Sequence, residues 1–550
     1  MTRTTKASPE RCVVRRPRNA PVARHRRRAA GLWMSASVAC LACTPQRSAD
    51  TVVYASGADL ESANPLTTVH PLARQVQRYA LLVTLVRFDS TLQPTPYLAR
   101  AWSWSADRRS VTLALYRGLR WHDGEPTSAA DVVFTLNAVR DPATGSPRAA
   151  DLANIDSVYA INDTAVTLHF RAPPPALPPV LCELPIAPAH VLAGVPRADL
   201  RRAGFGFSPV GNGPFKFVRR DAGRRWVFAR VRDFPSVLGG PAGIDRLVIT
   251  VVDEPTTKFA GLVSADLDVA GISPTMAALV ERDPSLRLLT YPIALSTAVV
   301  FNSSRPPFDD ARVRRAIDAI IDRQRIVDAA LGGFGSPADG PVPADHPFHL
   351  ALTRPGPAVA DSLLDAAGWR RGGAGRRMRN GSPLSFTLLT VGSGDNAMEQ
   401  LIQDDLRAHG IVMQIRQVEL GAFLGAARER PKRFDALITG IPGDIALSYL
   451  VTMFSSRLAG GALDYADYHS SSLDALFDRA QRAPTDDALA AAWRSLQQEL
   501  AAEVPVSWVY HARGVQGVSR RLDGVHMDLR GEMVTLSQWR VRDARVRDTR

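Results

Sequence analysis

Several short constellations in this chain carry residue types suited to chemistry, and each lacks the partners that the chemistry needs. Gly211-Asn212-Gly213-Pro214 is glycine-rich, but no Lys-Ser/Thr follows to hold a phosphate, and Pro214 blocks the helix entry such a loop requires. Ser393 in Gly392-Ser393-Gly394 has no glycine at the offset of a nucleophile elbow. His346 and His349 are separated by Pro347 and have no further ligand-type cluster beside them, which reads as a loop pair and not a metal site. The carboxylate pairs Asp309-Asp310, Asp404-Asp405 and Asp266/Asp268 read as caps and surface acids, because a catalytic dyad needs convergence that spacing alone does not supply. Cys182 lies in an apolar, proline-rich stretch and reads as a buried small hydrophobe. The expectation is a chain with no catalytic residues, no metal and no cofactor.

The surrounding pattern mixes strands and helices. Val111 to Leu115 alternates as a half-buried strand. Thr127-Ser128-Ala129-Ala130-Asp131 opens a helix with apolar Val132, Val133, Leu136 and Val139. Further on, Phe386–Leu389, Ile411–Val418 and Asp435–Thr439 read as strands. Between the first two lies an amphipathic helix, Asn396–His409, that stops at Gly410. A single helix is expected over Val313–Leu331, capped by Asp309 or Asp310 and ended by Gly332-Gly333, with Asp318, Asp322, Arg323 and Arg325 on a solvated face. Such alternation predicts an α/β domain with mainly parallel strands. Ligands in open α/β sheets bind beyond the carboxyl ends of strands, which draws attention to Gly440-Ile441-Pro442-Gly443-Asp444.

Length and charge bound the function. At 550 residues with 45% hydrophobic content, the chain exceeds what one core usually supports. The net charge of +13 is concentrated at the start. Residues 1–42 hold ten of the 67 basic residues and one of the 54 acids, and without them the body carries 57 against 53, a net +4. That balance gives no reason to expect a nucleic-acid partner. The basic run Arg24-His25-Arg26-Arg27-Arg28 precedes an apolar stretch, Ala29–Ala42, with the length of a signal-peptide core. It ends in Ala39-Cys40-Leu41-Ala42-Cys43, which resembles a lipoprotein processing site. Residues 1–42 are expected to be a lipoprotein-type signal peptide, Cys43 the lipidated residue and 43–50 a polar tether. Cys40, or a plain cleaved signal peptide with incidental cysteines, is the alternative. Beyond residue 43 only Cys182 remains, so no internal disulfide is expected.

Several segments then resemble, in collinear order over roughly residues 51 to 530, the bacterial extracellular solute-binding proteins of family 5. They are Glu61–Leu66, Tyr79–Asp89, Pro96–Trp102, Leu119–Val132, Pro209–Phe217, Phe301–Ala316, Leu363–Trp369 and Glu503–Trp508. The resemblance implies an α/β, two-lobed periplasmic-binding-protein fold of type II, with an extra domain in the first lobe and the ligand cleft between lobes. Taken in order, lobe one is 51–90, 205–296 and 504–550, the extra subdomain is 91–204, and lobe two is 297–503. Crossings between lobes fall near Leu295–Phe301 and Glu503–Trp508. It further implies a monomer, exported and held on the outer face of the membrane by its lipid alone, that captures a peptide-like or other small solute for an ABC permease and ATPase complex by hinged closure. A sensor or peptide chaperone on the same fold, or an envelope hydrolase, is the alternative.

Peptide-binding members carry an acid in the loop corresponding to 440–453, where it pairs with an α-ammonium. The counted position falls on Pro442, and the nearest acid is Asp444. Asp444 either substitutes through a shifted loop or shapes a Pro-Gly-Asp turn. The expected ligand-binding residues are Asp444, Tyr449, Gly440 and Ile441, with Asp444 supplying charge and Tyr449 an apolar wall with a polar tip.

Overall fold

The computed structural model describes residues 50–68, 70–391, 396–461 and 463–542. The signal segment, Cys40, Cys43 and the Gly392-Ser393-Gly394 stretch lie outside these residues. No helix among the described residues is long and apolar enough to cross a membrane.

An eleven-stranded sheet runs through both lobes. In spatial order its first strands are Val412–Val418, Ser385–Val391 and Ala436–Pro442, followed by the long strands Leu286–Phe301 and Val506–Ser519. Val269–Gly271, Thr51–Ser56, Arg246–Val251, Arg225–Arg230 and Phe215–Asp221 complete the path, and Gly335–Pro337 pairs beside Val506–Ser519. Pairing is mixed. Thr51–Ser56 is parallel to both its neighbours and Ser385–Val391 is parallel to both of its own. The two long strands are antiparallel to each other. The expectation of mainly parallel strands therefore holds only within each lobe's α/β part.

The two long strands join separate cores. Tyr291 and Val518 belong to one large apolar cluster, and Leu286 and Val515 to a neighbouring one. From Ala298 and Val299 on one strand, and up to Trp508 and Val509 on the other, the residues belong to two further clusters. Between them the ladder breaks: Pro292 pairs with Arg513 and Ser296 with His511. Three residues of one strand thus face one of the other, a bulge that bends a strand locally.

Within 91–204, four antiparallel strands form a separate sheet in the order Ala99–Trp104, Ser110–Leu115, Ala165–Phe170, Ile155–Asn162. The helix Ala129–Arg140 starts at a complete capping box: Ser128 caps the helix start, and its own amide donates to Asp131 Oδ2 at 2.9 Å. Buried Asn212 accepts from the Val83 amide at 3.0 Å and donates to Thr127 Oγ1 at 3.2 Å. It thereby ties three of the recognisable segments together. Its flanking glycines are needed for that approach, since a Cβ on Gly211 would stand 2.1 Å from the Leu81 carbonyl oxygen.

Two readings of polar residues are corrected. The expected helix Val313–Leu331 is two helices, Ala311–Ile320 and Arg323–Leu331. Asp310 caps the first, Asp322 caps the second, and Gly332 ends it at φ 57°. Asp318 and Arg323 are buried, not solvated. At the break, the Arg323 guanidinium donates to Asp318 Oδ1 at 2.5 Å and to the carbonyls of Trp508, Asp318 and Ile321 at 2.7–3.0 Å. Those bonds replace helical ones and pull the charge under the crossing strand. Asp268 is likewise no surface acid: it is fully buried, accepting from the Val53 amide at 2.8 Å and from Arg521 at 2.5 Å.

Candidate ligand cleft

On the lobe-two side, the strand Ala436–Pro442 runs on past Thr439, so Gly440 and Ile441 are strand residues paired with Thr297 and Ser296. Gly440 is exposed, and Ile441 packs in the lobe-two core. The Gly443 amide donates to the Ala294 carbonyl at 2.8 Å, which ties the following turn to the bulge between lobes. Asp444, half-buried, accepts from the Ser448 amide at 3.0 Å, the Ser448 hydroxyl at 2.6 Å and the Tyr449 amide at 3.2 Å. It therefore satisfies the free amides that open the helix Ser448–Phe454. Tyr449 is buried, and its hydroxyl donates to the Pro341 carbonyl at 2.7 Å. Burial raises its pKa and the Asp444 charge adds to that.

His346 faces the Ile445 carbonyl oxygen at 3.0 Å and buttresses this turn, while His349 faces the Val342 carbonyl oxygen at 2.8 Å within its own loop. His346 Nδ1 accepts from the Phe348 amide, so its proton is on Nε2.

The lobe-one side presents a cluster that no single sequence window shows. Glu183, in the short helix Val180–Glu183, accepts from Arg148 at 2.8 Å and from Arg78 at 3.3 Å, with Arg74 at 3.9 Å. Arg148 also bonds Asp151 at 2.5 Å. Burial works to raise the Glu183 pKa, but Arg148, Arg78 and Arg74 together overcome it and hold the carboxyl at about 2. Arg74 leaves 40% of its side chain open to solvent, yet desolvation by surrounding protein lowers its pKa.

Asp151 connects the two sides. Burial raises its pKa, Arg148 opposes this, and the Asp444 carboxylate raises it further. The turn carrying Asp444 therefore lies within electrostatic reach of the arginine–carboxylate cluster of 74–183. At the bulge itself, a cavity of about 120 Å³ is lined by Pro292, Ile293, His349, His511 and Arg513, among others.

Chemistry of other kinds finds little support in the geometry. Ser296 bonds His511 Nδ1 at 2.7 Å, but the ring is buried, its Nε2 has no partner, and desolvation lowers its pKa to about 4. An orienting carboxylate is missing from that pair. Asp464, Asp467 and His469 bring ligand-type atoms within 4.8 Å, but Arg430 donates to both carboxylates and already supplies the positive charge.

The comparisons with known proteins agree with this architecture. Residues 93–458 match the model for bacterial extracellular solute-binding proteins, family 5. Protein XP55 of Streptomyces lividans is 32% identical over 464 residues, 82% of each chain. The oligopeptide-binding protein AppA of Bacillus subtilis, solved with a nonapeptide, superposes with TM-score 0.73 at 22% identity, covering 90% of this chain and 99% of that one. NikZ of Campylobacter jejuni, solved with Ni(L-His), gives TM-score 0.75 at 22% identity over 90% of this chain and all of that one. Separate apolar cores joined by long crossing strands are thus the local form of a shared architecture, and the chain belongs to the bacterial extracellular solute-binding proteins of family 5.

Proposed function

We propose that the chain is the extracytoplasmic receptor of an ABC importer, capturing a peptide-like solute between its lobes and delivering it to a permease and ATPase complex. The observation that carries this reading is the junction. Two strands cross between separate cores through a register break, and the turn carrying Asp444 is tied to that break by the Gly443 amide bond to the Ala294 carbonyl. A broken ladder in two long strands that run from one pair of cores to the other is a natural hinge. Support for the solute class comes from similar folds, one solved with a nonapeptide and one with Ni(L-His), each ligand containing an amino acid. In this reading the turn Gly440–Asp444 lines the cleft. Asp444 holds the start of the Ser448–Phe454 helix and turns its remaining charge to the solute, while Ile441 and Tyr449 support the turn from behind.

Native mass spectrometry of the protein equilibrated with a random tripeptide pool tests capture. The expected result is a one-to-one complex with unmodified tripeptide. Free protein alone contradicts capture of peptides, and accumulating fragments of the pool would indicate a hydrolase instead.

The same reading places a lipid anchor at Cys43, supported by the basic and apolar run before it. Cys43→Ser is expected to move the protein from the membrane fraction to the soluble one. A variant that stays membrane-bound with Cys40 intact transfers the anchor to Cys40 or to an uncleaved helix.

A further inference from the structure

We infer that lobe one carries a subsite for a protonated amine or guanidinium group of the solute, built from Glu532 with Gln516, Tyr54 and Tyr291. It rests on solute capture in this cleft and adds the chemical class of the group recognised.

The four residues come from different parts of the fold. Tyr54 lies on the strand Thr51–Ser56, Tyr291 and Gln516 on the two crossing strands, and Glu532 in the turn that follows the Asp528–Gly531 bridge. Gly514 faces Tyr291 across the ladder, and a Cβ there would stand 2.2 Å from the ring. The glycine lets the phenol lie over the neighbouring strand and reach Gln516. The Gln516 amide nitrogen is 3.2 Å from the Tyr291 hydroxyl, 3.3 Å from the Tyr54 hydroxyl and 3.4 Å from Glu532 Oε2. The Tyr54 proton is committed to Glu532 Oε2, so both of those oxygens accept from Gln516 and fix the facing atom as the nitrogen.

Two amide oxygens remain free beside the Tyr291 hydroxyl. Gln516 is 5% exposed, and its carbonyl oxygen is buried without a hydrogen-bond partner. Among the described residues no donor reaches Glu532 Oε1. Gln75, packed against Gly531, has a second buried carbonyl oxygen without a partner. The site therefore offers acceptors and a carboxylate. Burial pushes the Glu532 carboxyl up to about 7, and no neighbouring cation pulls it back. An orphaned buried amide oxygen and a half-buried carboxylate without a counter-charge each cost stability. A hydrogen-bonding cation satisfies both at once.

The position suits a cleft. Arg530, two residues earlier, accepts on its carbonyl from Arg78 at 2.9 Å and from Tyr79 at 3.0 Å, next to the arginine cluster around Glu183. Lobe one would then present a positive patch and, separately, an acceptor-lined negative one, which orients a solute carrying both charges.

The test uses wild type and E532Q. Each is equilibrated with two random tripeptide pools lacking Lys, Arg and His, one with free α-amines and one N-acetylated, and separately with arginine and with putrescine. Bound solute is counted by native mass spectrometry. Wild type is expected to retain the free-amine pool, arginine or putrescine at least about tenfold over the acetylated pool, the effect of one charge-assisted contact. E532Q is expected to lose that preference at a melting temperature no lower than that of wild type. Gln516→Met removes the free carbonyl oxygen while leaving the carboxylate and should weaken the same preference, so it decides the matter if E532Q does not fold. Equal retention of both pools by wild type, or a preference that survives in E532Q and Gln516→Met, overturns the subsite and leaves peptide capture standing. Retention of arginine or putrescine that depends on Glu532, without any tripeptide, keeps the subsite and overturns the peptide reading. Retention of no probe overturns both.

Discussion

Glu183→Gln is expected to cost about 3 kcal/mol at pH 7 and about half of that at pH 3. The carboxyl lies under Arg148, Arg78 and Arg74, which hold its pKa at about 2 against a reference of 4.5. A folded pKa below the unfolded one means that the stabilisation is complete above about pH 4.5 and drains away as the pH falls toward 2. Only 11% of the side chain is exposed, so solvent screens the interaction little. Glutamine keeps the shape and removes the charge, leaving Arg78 and Arg148 buried around a neutral amide. Urea unfolding at the two pH values is the measurement. A gap between wild type and variant that is the same at both would show that the carboxylate charge is not what holds the cluster. The effect should reach the cleft as well, because the same carboxylate anchors Arg74 and Arg78 on the lobe-one face.

Asp318→Ala should destabilise by about 3–5 kcal/mol, the range seen when one partner of a buried ion pair is removed. Only 9% of the Arg323 side chain reaches solvent. It is enclosed by carbonyls of Trp508, Asp318 and Ile321 and by the Ser507 hydroxyl at 3.0 Å, and desolvation already lowers its pKa to about 10. Without Asp318 the charge stays buried against partial dipoles and Arg354, whose Nε is 3.5 Å from Asp318. Replacing both partners, Asp318→Leu with Arg323→Met, is expected to recover most of the loss, since apolar groups of similar volume need no counter-charge. A single variant within about 1 kcal/mol of wild type would mean that water reaches the guanidinium, as at an exposed pair.

These two sites also mark where sequence reading stops. Local signals were legible because their physics is local. The Ser128–Asp131 capping box, the Asp310 cap, the left-handed Gly332 and the alternating Ser110–Leu115 strand are each specified within a few residues. The break at Ile321 was not, because apolar spacing continues through it. What interrupts the helix is Arg323 bonding to a strand about 185 residues later in sequence. Asp268 and Arg521 were hidden for the same reason, being 253 residues apart. The rule that ligands gather at strand ends points to Gly440–Asp444, and the strand itself ends at Pro442, three residues beyond the expected Thr439. The Glu183 cluster draws on segments near 74, 148 and 183, and the Glu532 group on 54, 291, 516 and 532. No window, period or motif joins such residues. A weak signal existed for one of them: Gly514 opposite an aromatic in a long strand suggests a ring lying flat across the ladder, once the pairing is known.

The central claim is that the lobes close on a solute by bending at the break between Pro292/Arg513 and Ser296/His511. Small-angle scattering tests it most directly. Protein stripped of solute by partial unfolding and refolding is measured alone and with a saturating free-amine tripeptide pool, with occupancy checked on the same samples by native mass spectrometry. The account predicts a smaller radius of gyration and a shorter maximum dimension in the occupied sample. Full occupancy with an unchanged scattering curve would contradict it.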